Sequence, residues 1–254
     1  MRLTFLGTGA ADWVEPVDGE FRAYTSTRLD SALLIDGTMR ALERISDPDA
    51  ITDILYTHSH RDHFDARLLE RLAPVRVHAH AGWAGTIDVP GVTVCPFETF
   101  APFEAAGFAI TPLPSNHTPG HPGEQTVHYI IKKGGKTLFY ALDGAWLLYE
   151  EWNALKDESL DAVVFDATIG EGYPGDYRIF EHNSIEMLRI MVQTMRRPMF
   201  GKSSAQGAIP PVLKEGAPVF LTHLARTLNP TQAELERQLA GEFIPAYDGM
   251  EVTI

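Results

Sequence analysis

A chain of 254 residues with 44% hydrophobic and 22% charged residues is long enough to bury a substantial core and too ordinary in composition to be disordered. Its net charge of −13 argues against a long nucleic acid held over many phosphates, which needs clustered cations. No apolar stretch approaches membrane-spanning length, and the single cysteine, Cys95, has no partner for a disulfide or a thiolate zinc site, so a cytoplasmic protein is expected.

Residues 2–8 (RLTFLGT) predict a strand closed by a Gly-Thr-Gly turn, and with no signal-peptide pattern ahead of it the mature protein is expected to start there. Residues 11–30 are polar and irregular, and are expected as a loop that either lines a site or merely crosses the surface. A second strand is predicted at 33–37, a helix at 38–46, a buried strand at 51–57 and a short amphipathic helix at 64–72. Strands follow at 75–78, 86–95 and 108–113, then a hairpin of 127–132 and 137–141 turning at Gly134-Gly135. Beyond it come a helix at 146–155, the fully buried strand DAVVFD at 161–166, a Gly-rich loop at 169–177 and a helix at 182–196. A Pro-containing stretch at 198–218, a strand at 218–222, a helix from 230 to 241 and a strand at 250–254 complete the chain. Strands that come first as runs and then alternate with helices predict packed sheets with helices outside, in one domain spanning 1–254.

The chemistry concentrates in THSHRDHFD at 57–65. His58, His60, Asp62 and His63 fall within six residues directly after a predicted buried strand. If that segment is extended, alternation points His58, His60 and Asp62 one way and displaces His63, a spacing that suits two neighbouring cations. Imidazole with carboxylate is a ligand set for zinc, manganese or iron. Further candidates recur where strands are predicted to stop: His117, Asp143 and His223. Strand ends bringing His and Asp to one edge are the pattern of a built site. His78 and His80 share a strand end with no carboxylate beside them in sequence and are read as non-ligands, and His128, inside an alternating strand, as structural.

The THSHRDH stretch resembles the HxHxDH signature of the metallo-β-lactamase superfamily, and the order His58–His63, His117, Asp143, His223 is similar to its five-motif pattern over nearly the whole chain. TPLPSNH at 111–117, LTH at 221–223 and YDGMEV at 247–252 resemble the phosphoribosyl cyclic phosphate phosphodiesterases, whose wider group includes ribonuclease Z. Asp166-Ala167-Thr168 and His182-Asn183-Ser184 are similar to the acidic-Ala-Thr and Gly-His-Ser-Thr elements of ribonuclease Z, whose distal His is catalytic. Glu181 stands where that element has Gly, and residues 11–30 lack the cysteine-rich zinc insertion of the phosphodiesterases.

The resemblance implies an α/β (α+β) four-layer αββα sandwich with two divalent metal ions at the sheet edge. His58, His60 and His117 would bind one, Asp62, His63 and His223 the other, and Asp143 would bridge them. Two cations would lower the pKa of a shared water from about 15.7 towards ~7. Asp62, His182 and Asp166 would be the catalytic residues, with His182, oriented by Asp166, protonating the leaving oxygen. A TPGH element ending at His121 offers a rival third ligand, while the TPLPSNH block favours His117. Asp36 would orient a ligand, and Arg226 would either contact an anionic substrate or be a surface charge. The function implied is a dinuclear metal phosphodiesterase acting on a small, compact or cyclic phosphodiester. A carboxylic ester, lactone or thioester hydrolase, a tRNA-processing nuclease and a non-enzymatic metal-binding protein are the alternatives. The expected partner is a small anionic substrate, with neither membrane nor long nucleic acid; a homo-oligomer is left open.

Overall fold

The computed structural model describes residues 1–17, 19–173, 175–200 and 208–254. Its first part contains β1 (Arg2–Gly7), β2 (Ser26–Leu29), β3 (Leu33–Ile35), helix α1 (Met39–Leu42), β4 (Asp53–Leu55), α2 (Ala66–Leu72), β5 (Val75–His80), α3 (Ala81–Ala84) and β6 (Val92–Phe97). Next come β7 (Phe103–Ala105), β8 (Phe108–Pro114), β9 (Val127–Lys133), β10 (Lys136–Ala141), α4 (Tyr149–Leu155) and β11 (Ala162–Asp166). The last part holds α5 (Ile185–Met195), β12 (Met199–Phe200), β13 (Ala208–Ile209), β14 (Val219–Thr222), α6 (Gln232–Gln238), β15 (Ile244–Pro245) and β16 (Met250–Thr253).

Two seven-stranded mixed sheets result, in the orders β16-β1-β2-β3-β4-β5-β6 and β15-β14-β11-β10-β9-β8-β7. Alternation along each strand divides the apolar side chains between two faces. Leu3, Phe5, Leu33, Ile35 and Leu55 of the first sheet meet Phe108, Ile110, Tyr129, Tyr140, Val164 and Phe220 of the second in the central core. Leu6, Leu34, Ile54 and Val77 face outward onto Ala41, Leu68, Leu69, Leu72 and Trp83 of α1, α2 and α3. Phe139, Val163, Phe165 and Leu221 pack outward on Leu155, Ile185, Leu188, Met191, Val192 and Leu235 of α4, α5 and α6. The layers are therefore helix, sheet, sheet, helix, as the sequence implied. Gly134 and Gly135, both at positive φ, close the β9–β10 hairpin as predicted.

Parallel pairing decides where the strands deliver their ends. β3 and β4 run parallel, as do β10, β11 and β14, so Asp36 and residues 58–63 leave one sheet and Asp143, Asp166 and His223 leave the other at C-terminal strand ends. Two antiparallel steps make β8 parallel to β10, which brings His117 to that same edge. Asp36, Asp143 and His223 adopt φ of 51°, 53° and 55°, a left-handed conformation that costs a non-glycine residue about 1–2 kcal/mol and turns each chain sharply at its strand end.

Some boundaries differ from expectation. Residues 26–29, expected as loop, form β2, whose four residues are all buried. Ser, Thr and Arg there carry no alternating apolar signal because their polar groups are satisfied internally: Ser26 Oγ donates to Asp36 O, and Arg28 to Ser31 O and Asp47 O. The strand expected at 86–95 lies at Val92–Phe97, the helix expected at 38–46 is the single turn Met39–Leu42, and β7 and α3 were not anticipated. Of the Pro-containing stretch 198–218, residues 201–207 lie outside the described residues.

Candidate functional site

After β4 the motif segment is a turn, not an extended run: the N–H groups of His63 and Phe64 both donate to His60 O. The turn folds His63 back, so that its ring centroid lies 4.2 Å from that of His58 instead of on the far side. His58, His60 and His117 then form one nest, and Asp62, His63 and His223 a second; within each nest the ligand atoms lie within 4.8 Å of one another. Imidazole nitrogens face each other directly, His117 Nε2 and His60 Nδ1 at 3.2 Å and His63 Nε2 and His223 Nε2 at 3.3 Å. Between the nests Asp143 Oδ2 is 3.5 Å from His58 Nε2, 3.2 Å from His63 Nε2 and 3.7 Å from His117 Nε2.

The outer ring nitrogens are already engaged. His63 Nδ1 donates to Asp36 Oδ2 at 2.9 Å, and Asp36 is fixed by the Thr57 N–H and hydroxyl, both at 2.8 Å. His117 Nδ1 donates to Glu181 O. Asp36 thus orients a candidate ligand, leaving the opposite nitrogen for the nest. His58 Nε2 and Asp143 Oδ1 are buried with no hydrogen-bond partner among the described residues. Orphaned buried polar atoms are costly unless something meets them, and a divalent cation fits this donor set of imidazole and carboxylate.

Charge supports the same fit. Burial, foremost, pushes the His58 and His117 imidazoles down towards the neutral form that ligates cations. For Asp143 burial acts upward, but His223 and His63 outweigh it and hold the carboxyl well below the usual carboxylate range. Burial also opposes charge on His63 and His223, yet the carboxylates of Asp143 and Asp62 raise both, His223 to about 10. Positive charge is therefore favoured between these side chains.

The cleft over the nests has a volume of ≈ 230 Å³ and is lined by Ala10, Ala11, Asp12, His60, Asp62, His117, Asp143, Thr168, Arg178, Glu181, His182, His223 and Ala225. His182 Nδ1 donates to Asp166 Oδ2 at 2.8 Å, while Asp166 Oδ1 accepts from both the N–H and the hydroxyl of Thr168. The His182 ring lies 4.8 Å from that of His117 and stacks on His223 at 5.4 Å between centroids. Burial would lower the His182 pKa, but the charge of Asp166 and their hydrogen bond raise it.

Of the candidate ligands and proton donor, His58, His60, Asp62, His63, His117, Asp143, His182 and His223 all lie at this edge. His121 does not join it: the residue is exposed, and its N–H donates to Glu124 Oε2, which also holds Ser59. Arg226 directs Nη1 to Glu15 at 3.4 Å and does not line the cleft. His78 does have a carboxylate beside it, contrary to its sequence neighbourhood, because Asp53 of the adjacent strand accepts from its Nε2 at 2.8 Å. His128 is buried against Glu151 at 2.6 Å, and a Cβ at Gly144, next to Asp143, would meet its Nε2 at 2.7 Å. Thr168 was quoted only within a motif, though it joins Asp166 to His223 Nδ1 at 2.8 Å. Asp12, on a loop, and Arg178, in the short 3-10 turn Tyr177–Phe180, had no periodic or spacing signal to find them by.

Residues 29–195, well over half of the chain, match the Beta-lactamase superfamily domain. The chain belongs to this family. Three solved structures share its metallo-β-lactamase fold at identities that speak for the fold alone. A diphosphatase from the PhnP family superposes with a TM-score of 0.70 at 19% identity, covering 99% of this chain and 97% of the other. The short form of human tRNase Z (ELAC1) gives 0.70 at 17%, covering 100% and 99%. Zn(2+)-bound PqqB from Methylobacterium extorquens gives 0.69 at 16%, covering 100% of both. No curated protein matches the chain by sequence. The superfamily consists mainly of metal-dependent hydrolases. No helix among the described residues is long and apolar enough to cross a membrane.

Proposed function

We propose that this chain is a dinuclear metal-dependent phosphodiesterase acting on a small phosphodiester, with residues 1–254 as one hydrolase domain. The observation that carries the reading is the His182–Asp166 pair, held at 2.8 Å beside both nests in a cleft of ≈ 230 Å³. His58, His60 and His117 would hold one cation, Asp62, His63 and His223 a second, and Asp143 would reach both. When bound, divalent cations supply Lewis acidity, acidifying water and stabilising charge on phosphoryl oxygens.

The chain's own residues do the rest. Thr168 anchors Asp166, and Asp166 accepts from His182 Nδ1, which leaves Nε2–H as the proton to give. As the bond from phosphorus to the leaving oxygen breaks, that proton passes to the oxygen and His182 becomes neutral. Asp166 stays ionised throughout because three donors converge on it. The cleft's size favours a compact substrate, and the net charge of −13 argues against a long nucleic acid held over many phosphates.

Protein loaded in turn with zinc and manganese should cleave an aryl phosphodiester in preference to an aryl phosphomonoester or an aryl carboxylic ester. His182→Ala should remove most of that activity while keeping its metal. Cleavage of the carboxylic ester alone would replace this reading with an esterase or lactonase, and inertness towards all three with metal bound would leave a non-enzymatic metal protein.

A further inference from the structure

The cleft is lined by four carboxylates, Asp12, Asp62, Asp143 and Glu181, and among the described residues by one arginine, Arg178, and no lysine. Asp62 and Asp143 belong to the nests. The other two are engaged. Asp12 accepts from the N–H of Arg226 at 2.8 Å and from the N–H and hydroxyl of Thr227 at 3.1 and 3.0 Å, and Glu181 accepts from the Thr118 hydroxyl at 2.6 Å. Arg178 spends only one side of its fork: Nε donates to Asp176 Oδ1 at 2.8 Å and Nη2 to Asp176 Oδ2 at 2.7 Å. Among the described residues Nη1 has no hydrogen-bond acceptor, and the small side chains of Ala10, Ala11 and Ala225 share the lining with it.

A partly exposed pair of this kind contributes about 0–1 kcal/mol to stability, so folding gives little reason for an arginine at this place. What the pair does provide is a guanidinium held in one orientation with a free donor edge, the geometry that recognises oxyanions. The position is rigid as well, because the carbonyl of Arg178 accepts from the N–H of both Glu181 and His182, tying it to the proposed proton donor.

We infer that Arg178 binds a second oxyanion of the substrate, so that the preferred compound carries a phosphate or carboxylate in addition to the phosphodiester that is cleaved. This substrate class rests on the phosphodiesterase reading. Asp176 holds the guanidinium in place and also competes with the incoming anion for it.

Two variants separate these roles. Arg178→Met removes the fork but keeps the backbone carbonyl that His182 uses. Asp176→Asn retains a side-chain oxygen able to cap the 3-10 turn at Tyr177–Phe180, which Asp176 caps by accepting from Arg178 N–H, and it discards the competing charge together with the acceptor of Nη2. Zinc-loaded protein is titrated by calorimetry with ethyl phosphate, 2-carboxyethyl phosphate and the bisphosphate of ethylene glycol. Wild type should bind at least one of the compounds with a second anionic group roughly tenfold tighter than ethyl phosphate, about the effect of one charge-assisted hydrogen bond. Which one it prefers tells a phosphate from a carboxylate. Arg178→Met should lose the preference with ethyl phosphate binding unchanged, and Asp176→Asn should widen it. Equal binding of all three by wild type overturns the inference, as does a uniform loss in Arg178→Met. Aryl phosphodiester hydrolysis is measured on the same samples. Its absence with the preference intact removes the phosphodiesterase reading and leaves the anion site standing.

Discussion

The chain carries two buried clusters of His and Asp, and they have opposite bookkeeping. At the start of β4, Asp53 accepts from Arg76 Nε and Nη2, His78 Nε2, the Thr52 hydroxyl and the Ala106 N–H, so its carboxylate is fully met by protein donors. Just past the other end of the same strand, His58 Nε2 and Asp143 Oδ1 lie buried without a hydrogen bond among the described residues, and imidazole nitrogens face one another. Residue types do not tell the two apart. Saturation does: the first cluster is complete as folded and ties β4 to β5 and to residue 106, while the second has room for positive charge from outside.

The largest expected effect tests the second cluster through its proton donor. His182→Ala should cut phosphodiester turnover by ~10²–10⁴ with metal content unchanged by elemental analysis. A loss of metal instead would make His182 a ligand.

Asp36→Asn should weaken zinc binding by about 10–100-fold, because His63 loses the acceptor that fixes its ring. Thermal shift reads this directly. Zinc at 100 times its Kd should stabilise wild type by about 2.7 kcal/mol, and the variant at the same concentration by much less.

Asp53→Asn is the converse. It should cost ~2–3 kcal/mol of stability by breaking charge-assisted bonds to Arg76 and His78, yet leave the zinc-induced increment intact. Burial opposes ionisation of Asp53, but those two partners hold its pKa at about 2, below the usual 3.8. A depressed carboxyl stabilises the fold above its unfolded pKa and loses that contribution as pH falls through the folded one. The stability gap between wild type and Asp53→Asn, measured by denaturant unfolding, should therefore be full above about pH 5 and close towards pH 2. A gap independent of pH would mean that the cluster acts by packing alone.

The smallest effect is expected at His121, where His121→Ala should change turnover and zinc affinity by less than about twofold, since surface substitutions away from built features are near neutral. A large loss there would move the third ligand from His117 to the TPGH element.

The sequence by itself determined the local part of this protein: buried strands from their apolar runs, the Gly134-Gly135 hairpin from its turn chemistry, and candidate ligands from His and Asp placed where those runs stop. That worked because strand period, turn conformation and motif spacing are properties of neighbouring residues. It was blind to β2, whose buried Ser, Thr and Arg are satisfied by partners elsewhere, and to the carboxylate that reaches His78 from the next strand. The resemblance already grouped His58, His60, His63, His117, His182 and His223; the tertiary structure decided their geometry, with His60, His117, His182 and His223 lining the cleft, His58 and His63 buried in the nests beneath it, and the rival His121 left outside. Parallel pairing of strands far apart in sequence sets that geometry. Arg178 enters the cleft from a single 3-10 turn without period or motif, because its placement depends on contacts that exist only after the sheets have packed.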